Sequence, residues 1–406
     1  MYKEFLLFSC TIIFSLFISE NILRYFYVIP SPIGNYYPLE IAKLGKAIHI
    51  DQMEFDIWYE YNSSGFRDKE IKVKKPVFQK RILFVGDSIT EGFGVSDTKR
   101  YSNQILEHLG FGYEGINVAQ LATNPPTYLD NIAKFGVALK PDLVVMGFFI
   151  GNDFMGANGS PLPQSIPVNK EIDSNDCFQV LQDKWFNLYF LAILGDFGDA
   201  ENCLISRLDS QDKNFWELYF KKNIDKSFFA NLHGLTVPAF DKIVSGFNAD
   251  VMDEIYAGRV NSSMFHESVN LHAKKPSSDK SYYIEDDYLN TYDYIKKSRE
   301  ILYNHQIQFL VVIIPDMDQV NSKEFREASM KDFLISEIPS RFQELRSLRE
   351  RLVHDLSVDD INFIDTTNAL KNSPNLSFYI YDNHLNENGH TIVGEEVYPV
   401  IEKYFE

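Results

Sequence analysis

Three sites in this sequence carry side chains that could do chemistry together: Ser88 after a short apolar run, Asp382 with His384, and Asn152 in Ile150-Gly-Asn-Asp153. A serine hydroxyl is a weak nucleophile near neutral pH and needs a base within hydrogen-bond reach, itself oriented by a third group. Of the nine histidines, His384 stands out, because Tyr381-Asp-Asn-His-Leu-Asn-Glu-Asn-Gly-His390 is a polar loop leading into the last helix. Asp382, two residues ahead of it, is close enough to fix the imidazole tautomer. The tetrahedral intermediate of attack on an ester carbonyl also needs hydrogen-bond donors for its oxyanion, and Asn152 offers a side-chain amide. Each signal is ordinary by itself: Gly-Asp-Ser suits a turn or helix cap, and Asp-x-His suits a surface loop. A phosphate-binding loop is a poor alternative, since it requires Gly-Lys-Ser/Thr and no lysine lies between Arg81 and Lys99.

The elements around these residues place all of them at strand ends. Ile82 to Val85 reads as a buried parallel strand that turns at Gly86-Asp87-Ser88. A helix is expected near 99–109, a strand at Gly115–Val118, a helix near 127–139 and a strand at Leu143–Phe148 that runs out into Asn152. The alternation stops after Asp153 and resumes with a helix near 287–304 and the strand Phe309–Ile314, closed by Pro315. A helix near 339–355, a strand at Ile361–Ile364 and a helix from about 389 to 403 complete it. Five strands with intervening helices predict a three-layer α/β fold with a flavodoxin-like parallel sheet, whose ligands bind at the carboxyl ends of the strands. Residues 154–285 read as an inserted, mainly helical subdomain. Its aromatic stripes, Trp185 to Phe190 and Phe215 to Phe220, are read as core ahead of a lid over substrate.

The chain has 406 residues, 45% of them hydrophobic, enough for a large core. Its 39 basic against 57 acidic residues, net −18, argue against a nucleic-acid partner. Phe5 to Ser19 is an uncharged apolar run behind Lys3, shorter than the ~20 residues of a comfortable spanning helix, and no small-x-small cleavage site follows it. It is read as an uncleaved signal anchor within 1–30, which puts the rest on the non-cytoplasmic side of a membrane, periplasmic or extracellular. Residues 31–80, with Pro32, Pro38 and Pro76 following Pro30, read as a stalk that wraps onto the domain, and Asn62-Ser-Ser-Gly-Phe-Arg67 as a turn within it. If the domain is exported, Cys177 and Cys203 are free to form a disulfide.

Gly86-Asp-Ser-Ile-Thr90, Gly151-Asn-Asp153 and Asp382-Asn-His384, in that order and each after a strand, resemble the SGNH/GDSL hydrolase family over about 81–153 and 286–406. The resemblance implies Ser88 as nucleophile, His384 as base and then acid, and Asp382 as its orienting carboxylate. It further implies an oxyanion hole built from the Ser88 amide, Asn152 and a glycine amide after the second strand, and no metal or organic cofactor. In place of that glycine, five residues after Asn117, stands Ala122, whose amide can still donate. The Asp-x-His spacing is shorter than the Asp-x-x-His of many members and is similar to that of membrane-associated relatives and of polysaccharide acetyltransferases. The sequence therefore predicts a membrane-anchored serine esterase acting on an ester of an envelope glycan or lipid, with O-acyl transfer to polysaccharide and an inactive glycan-binding module as alternatives.

Overall fold

The computed structural model describes residues 47–121, 123–154, 226–260, 263–273, 285–320, 323–336 and 340–406. The Phe5–Ser19 run, Ala122, Cys177, Cys203 and the aromatic stripes at 185–190 and 215–220 lie outside the described residues. Among the described residues no helix is long and apolar enough to cross a membrane.

Two strands precede the alternating part of the chain, β1 (Ala47–Gln52) and β2 (Phe55–Glu60), paired antiparallel through a turn at Met53-Glu54. The sequence reading of 31–80 as a stalk that wraps onto the domain did not include this hairpin. Its signal is present in Phe55-Asp-Ile-Trp-Tyr-Glu60, where residues of alternate burial follow one another.

The central sheet consists of β3 (Lys80–Val85), β4 (Tyr113–Asn117), β5 (Leu143–Phe149), β6 (Gln308–Ile314) and β7 (Phe363–Asp365). All neighbours are parallel, in the order β4-β3-β5-β6-β7. Counted within the sheet this is 2-1-3-4-5, the flavodoxin-like order, whose switch point lies between the first and third strands. Continuous apolar runs such as Leu143–Phe149 and Phe309–Ile314 are buried along their length, as strands covered on both faces must be.

Helices α1 (Ser88–Glu91), α2 (Tyr101–Leu109) and α3 (Pro125–Asn131) follow the first two strands of the sheet. The last of these carries on through a π turn at Ile132–Gly136. Within the insertion, α4 (Lys226–Leu232), α5 (Val237–Val244), α6 (Ala249–Tyr256) and α7 (Ser263–His272) pack around Phe229, Phe240 and Phe265. Ring centroids of Phe229 and Phe265 are 5.4 Å apart, and Phe265 lies 5.8 Å from Phe333 of the α/β domain. These described aromatics are therefore packing residues. Beyond the insertion come α8 (Glu285–Asn304), α9 (Met317–Val320), α10 (Lys323–Asp332) and α11 (Ser340–Val358). After β7 the chain closes with α12 (Thr367–Lys371) and α13 (Glu387–Lys403).

The segment after the hairpin is fastened by buried arginines. Arg81 donates to the carbonyls of Lys72, Val73 and Leu139 and to Glu114. Arg67, 1% exposed, lies 3.6 Å over the Tyr59 ring and donates to the Gly92 and Val95 carbonyls. Charged groups this deep are tolerated only when their donors are met, and here backbone oxygens meet most of them. The consequence is positional, because the loop following Ser88 is tied to the amino-terminal hairpin.

Candidate active site

Ser88 is the first residue of α1, a single turn that begins where β3 ends. Asp87 caps it, its carboxylate accepting from Ile89 N (3.0 Å), and Gly92 ends it in the left-handed conformation with φ 86°. The turn can sit this tightly on the sheet because two glycines leave room. A Cβ at Gly86 would come 2.2 Å from Thr90 Oγ1, and one at Gly147 on β5 would come 2.1 Å from the same atom. Asn117, at the end of β4, holds the turn from the other side by donating to the Thr90 carbonyl (2.7 Å).

His384 reaches Ser88 from a loop that joins α12 to α13. Asn386 organises that loop: its Oδ1 accepts from Gly389 N (3.0 Å) at the start of α13, and its Nδ2 donates to the carbonyls of Leu376 and Phe378. Gly389 is required there, since a Cβ would stand 2.1 Å from the Ser377 carbonyl oxygen. Phe378 bridges to Leu385, and Tyr379 N donates to the His384 carbonyl (3.0 Å).

The result is a continuous array. His384 Nε2 lies 2.7 Å from Ser88 Oγ, and His384 Nδ1 pairs with Asp382 Oδ1. The same carboxylate oxygen accepts from the His384 backbone amide at 3.1 Å. With Nδ1 donating to the carboxylate, Nε2 is left as the acceptor for the serine proton, which is the tautomer a general base needs. Phe93, from the loop after α1, packs 4.6 Å from the imidazole.

Burial alone would lower the His384 pKa. The Asp382 carboxylate, by charge and by hydrogen bond, reverses this with help from Asp87 and Glu91, and the net position is above the usual 6.5. His390, the other histidine of the motif, is different. It is fully buried, its Nδ1 accepts from Tyr101 N (3.3 Å), and burial together with the Arg67 and Arg100 charges pushes it down to about 3. His390 is a neutral packing residue, so the choice of His384 rests on geometry and charge alike.

Asn152 sits in the turn after β5, where Asn152 N and Asp153 N both point at the Phe149 carbonyl. Its amide lies beside the Asp87 carboxyl and draws that group's pKa down, although Asn152 Oδ1 and Asp87 Oδ2 are both buried with no hydrogen-bond partner among the described residues. Burial has raised Asp87 to about 6. Behind it, Asp153 accepts from Tyr128 OH (2.6 Å) and Phe149 N (2.8 Å), and burial first, then the nearby Asp87, hold it well above the carboxylate range. Two carboxyls this close in a buried site do not both ionise readily. The Ser88 amide, at the first position of its helix, has no intrahelical acceptor and is available to an oxyanion.

Four of the five residues singled out in the sequence, Ser88, Asn152, Asp382 and His384, thus converge on the carboxyl edge of the sheet; the fifth, Ala122, lies outside the described residues. Sequence reasoning missed Asp87, Asn117 and Glu54. The first two had a signal, a capping residue before a helix and a polar residue at a strand end. Glu54 had none, being more than 300 residues from the loop it touches.

No family model matches the chain, and no curated protein does. Among solved structures it is similar to a GDSL-like lipase from Bacteroides thetaiotaomicron (12% identity, 80% of this chain and 88% of that one, TM-score 0.35). Similar also are a lipolytic protein G-D-S-L family member from Veillonella parvula (11%, 80% and 99%, TM-score 0.36) and a carbohydrate acetylesterase family member from Sinorhizobium meliloti (12%, 80% and 99%, TM-score 0.33). At these identities and TM-scores the likeness assigns no activity, and the functional case stays with the side chains.

Proposed function

We propose that the chain is a serine esterase of SGNH/GDSL type. The observation that carries this reading is the continuous hydrogen-bonded array Ser88 Oγ, His384 imidazole and Asp382 carboxylate at the carboxyl edge of the sheet. In the first half-reaction Ser88 Oγ bonds to the ester carbonyl carbon as its proton passes to His384 Nε2. The Ser88 amide and the second amide hydrogen of Asn152 stabilise the oxyanion. His384 then gives its proton to the departing alcohol, leaving an acyl-serine. Water, deprotonated by the same imidazole, bonds to the acyl carbon; the bond from that carbon to Ser88 Oγ breaks, the imidazole returns its proton to Oγ, and the carboxylic acid leaves. Every proton transfer passes through one imidazole, and the site asks for no further acid.

The substrate belonging to this reading is an O-acyl ester of a cell-envelope glycan or lipid. Its support is the apolar run at 5–19, which would tether the enzyme by 1–30 at the non-cytoplasmic face of a membrane. The protein lacking residues 1–30 is expected to take a fluorophosphonate label on Ser88, to hydrolyse p-nitrophenyl acetate slowly and to deacetylate an acetylated oligosaccharide faster. If added glycan acceptor instead diverts the acyl group from water, giving stoichiometric acylated sugar by mass spectrometry, transfer replaces hydrolysis as the reaction.

A further inference from the structure

Glu54 occupies the tip of the amino-terminal hairpin, in the two-residue turn between Gln52 and Phe55. Its carboxylate faces the loop that carries Asp382 and His384. One oxygen accepts from Ile380 N; the other accepts from Tyr381 N (2.8 Å) and Asp382 N (2.9 Å). Three consecutive backbone amides thus converge on one side chain. A carboxylate is suited to this, having two oxygens and no hydrogen to offer, whereas a glutamine would turn an NH2 group toward the same donors.

The hairpin tip is itself fixed. Phe55 packs on Phe93 (5.4 Å) and Tyr379 (4.9 Å), and Tyr379 OH donates to the Gly94 carbonyl (2.6 Å). Met53 N donates to the Arg259 carbonyl (3.0 Å), joining the turn to the insertion. Phe93, the partner of Phe55, is also the ring against His384. The hairpin therefore touches the imidazole through Phe93 and the Asp382 backbone through Glu54.

We propose that Glu54 is a positioning residue for the Ser88–His384–Asp382 array: by gathering the amides of Ile380, Tyr381 and Asp382, it fixes the backbone from which the Asp382 carboxylate meets His384 Nδ1. This rests on the esterase reading. It gives the residues ahead of the α/β domain a part in turnover, since the clamp comes from a segment that contributes nothing to the sheet.

The charge on Glu54 makes the clamp sensitive to pH. Asp382 is the charged group that opposes it; the neighbouring hydroxyls of Tyr379 and Tyr381 are committed to the Gly94 carbonyl and to the Asp332 carboxylate. Arg259, across the turn, is engaged with Glu254 and lies 3.8 Å from Asp51. Burial, offset in part by the three amides, raises the Glu54 carboxyl to about 7. The folded state therefore holds this proton more tightly than the unfolded chain. Its contribution to stability is greatest below about pH 4.5 and falls as pH rises through about 7, so the ionised clamp does not favour folding by its charge.

The test compares wild type with Glu54→Gln in labelling by a fluorophosphonate and in hydrolysis of p-nitrophenyl acetate, each with a melting temperature to show that the variant is folded. At about pH 8 the variant should lose roughly tenfold in kcat with KM within about twofold, the signature of lost positioning. Near pH 5.5 wild-type Glu54 is itself protonated, and the two proteins should converge. In an Asp382→Asn background the same change should cost less than about twofold, because the group it positions is already gone. Should Glu54→Gln fail to fold, Glu54→Asp, too short to reach all three amides, is read in the same way. Equal kcat at about pH 8, or a deficit that persists undiminished at low pH, overturns the inference while leaving a labelled Ser88 and the esterase reading intact. A wild type that takes no label overturns the esterase reading itself.

Discussion

Ser88→Ala is expected to abolish fluorophosphonate labelling and to lower kcat/KM for p-nitrophenyl acetate by about 10³-fold or more, since groups that act as a unit fail together when one is removed. The melting temperature should move little. Among the described residues the serine hydroxyl makes one side-chain hydrogen bond, to His384 Nε2, and its loss costs on the order of 1 kcal/mol. Alanine also fits the first helical position without strain, for the tight contacts in this turn come from Gly86 and Gly147 and not from Ser88 itself. Residual activity would come from the oxyanion donors, which the substitution leaves in place. Undiminished turnover by the purified variant would remove Ser88 from the mechanism and with it the esterase assignment.

The parts of this protein that were legible in the sequence are those set by local pattern. Continuous apolar runs such as Ile82–Val85 and Leu143–Phe149 announce buried parallel strands, and polar residues directly after them must lie at the carboxyl edge. That rule alone brings Ser88 and Asn152 to one place, and the order of strands in the sheet puts them on adjacent strands, β3 and β5. His384 was legible for a different reason: Asp-x-His by itself suits a surface loop, but its place after the last strand and ahead of the final helix puts it on the ligand-binding edge. The hairpin at 47–60 was not read, since its alternation is short and lies among prolines and aromatics. Glu54 could not have been read at all. Its role depends on tertiary contact between segments at opposite ends of the chain, and nothing in Met53-Glu54-Phe55 distinguishes that carboxylate from any other in a turn. Asp87 and Asp153 show a further limit. Their types are visible in Gly-Asp-Ser and Asn-Asp, but their mutual burial, which raises both, follows only from the packing of β3 against β5.

Asp382→Asn is expected to lower kcat by about 10² to 10⁴-fold while leaving the protein folded, because the cost falls on the tautomer and orientation of His384 and not on packing. The carboxylate oxygen that meets Nδ1 also accepts the His384 amide, so an asparagine oxygen can keep the backbone contact or serve the ring, without the negative charge in either case. The pH profile separates this from simple damage. In the wild type the Asp382 carboxylate holds His384 above 6.5, so the neutral, base-competent imidazole forms only as pH rises through that raised value. Removing the charge removes the main influence that raises it, while burial still lowers it. The acidic limb of kcat/KM should therefore shift to lower pH even as the plateau falls. The linked stability has the opposite sense: the imidazolium–carboxylate pair adds stability below about pH 6.5 that is lost as pH rises through the folded value, so the variant should melt earlier than wild type in acid and close to it at about pH 8. A plateau near the wild-type level with an unmoved limb would make Asp382 a loop-capping residue and leave His384 without its orienting group.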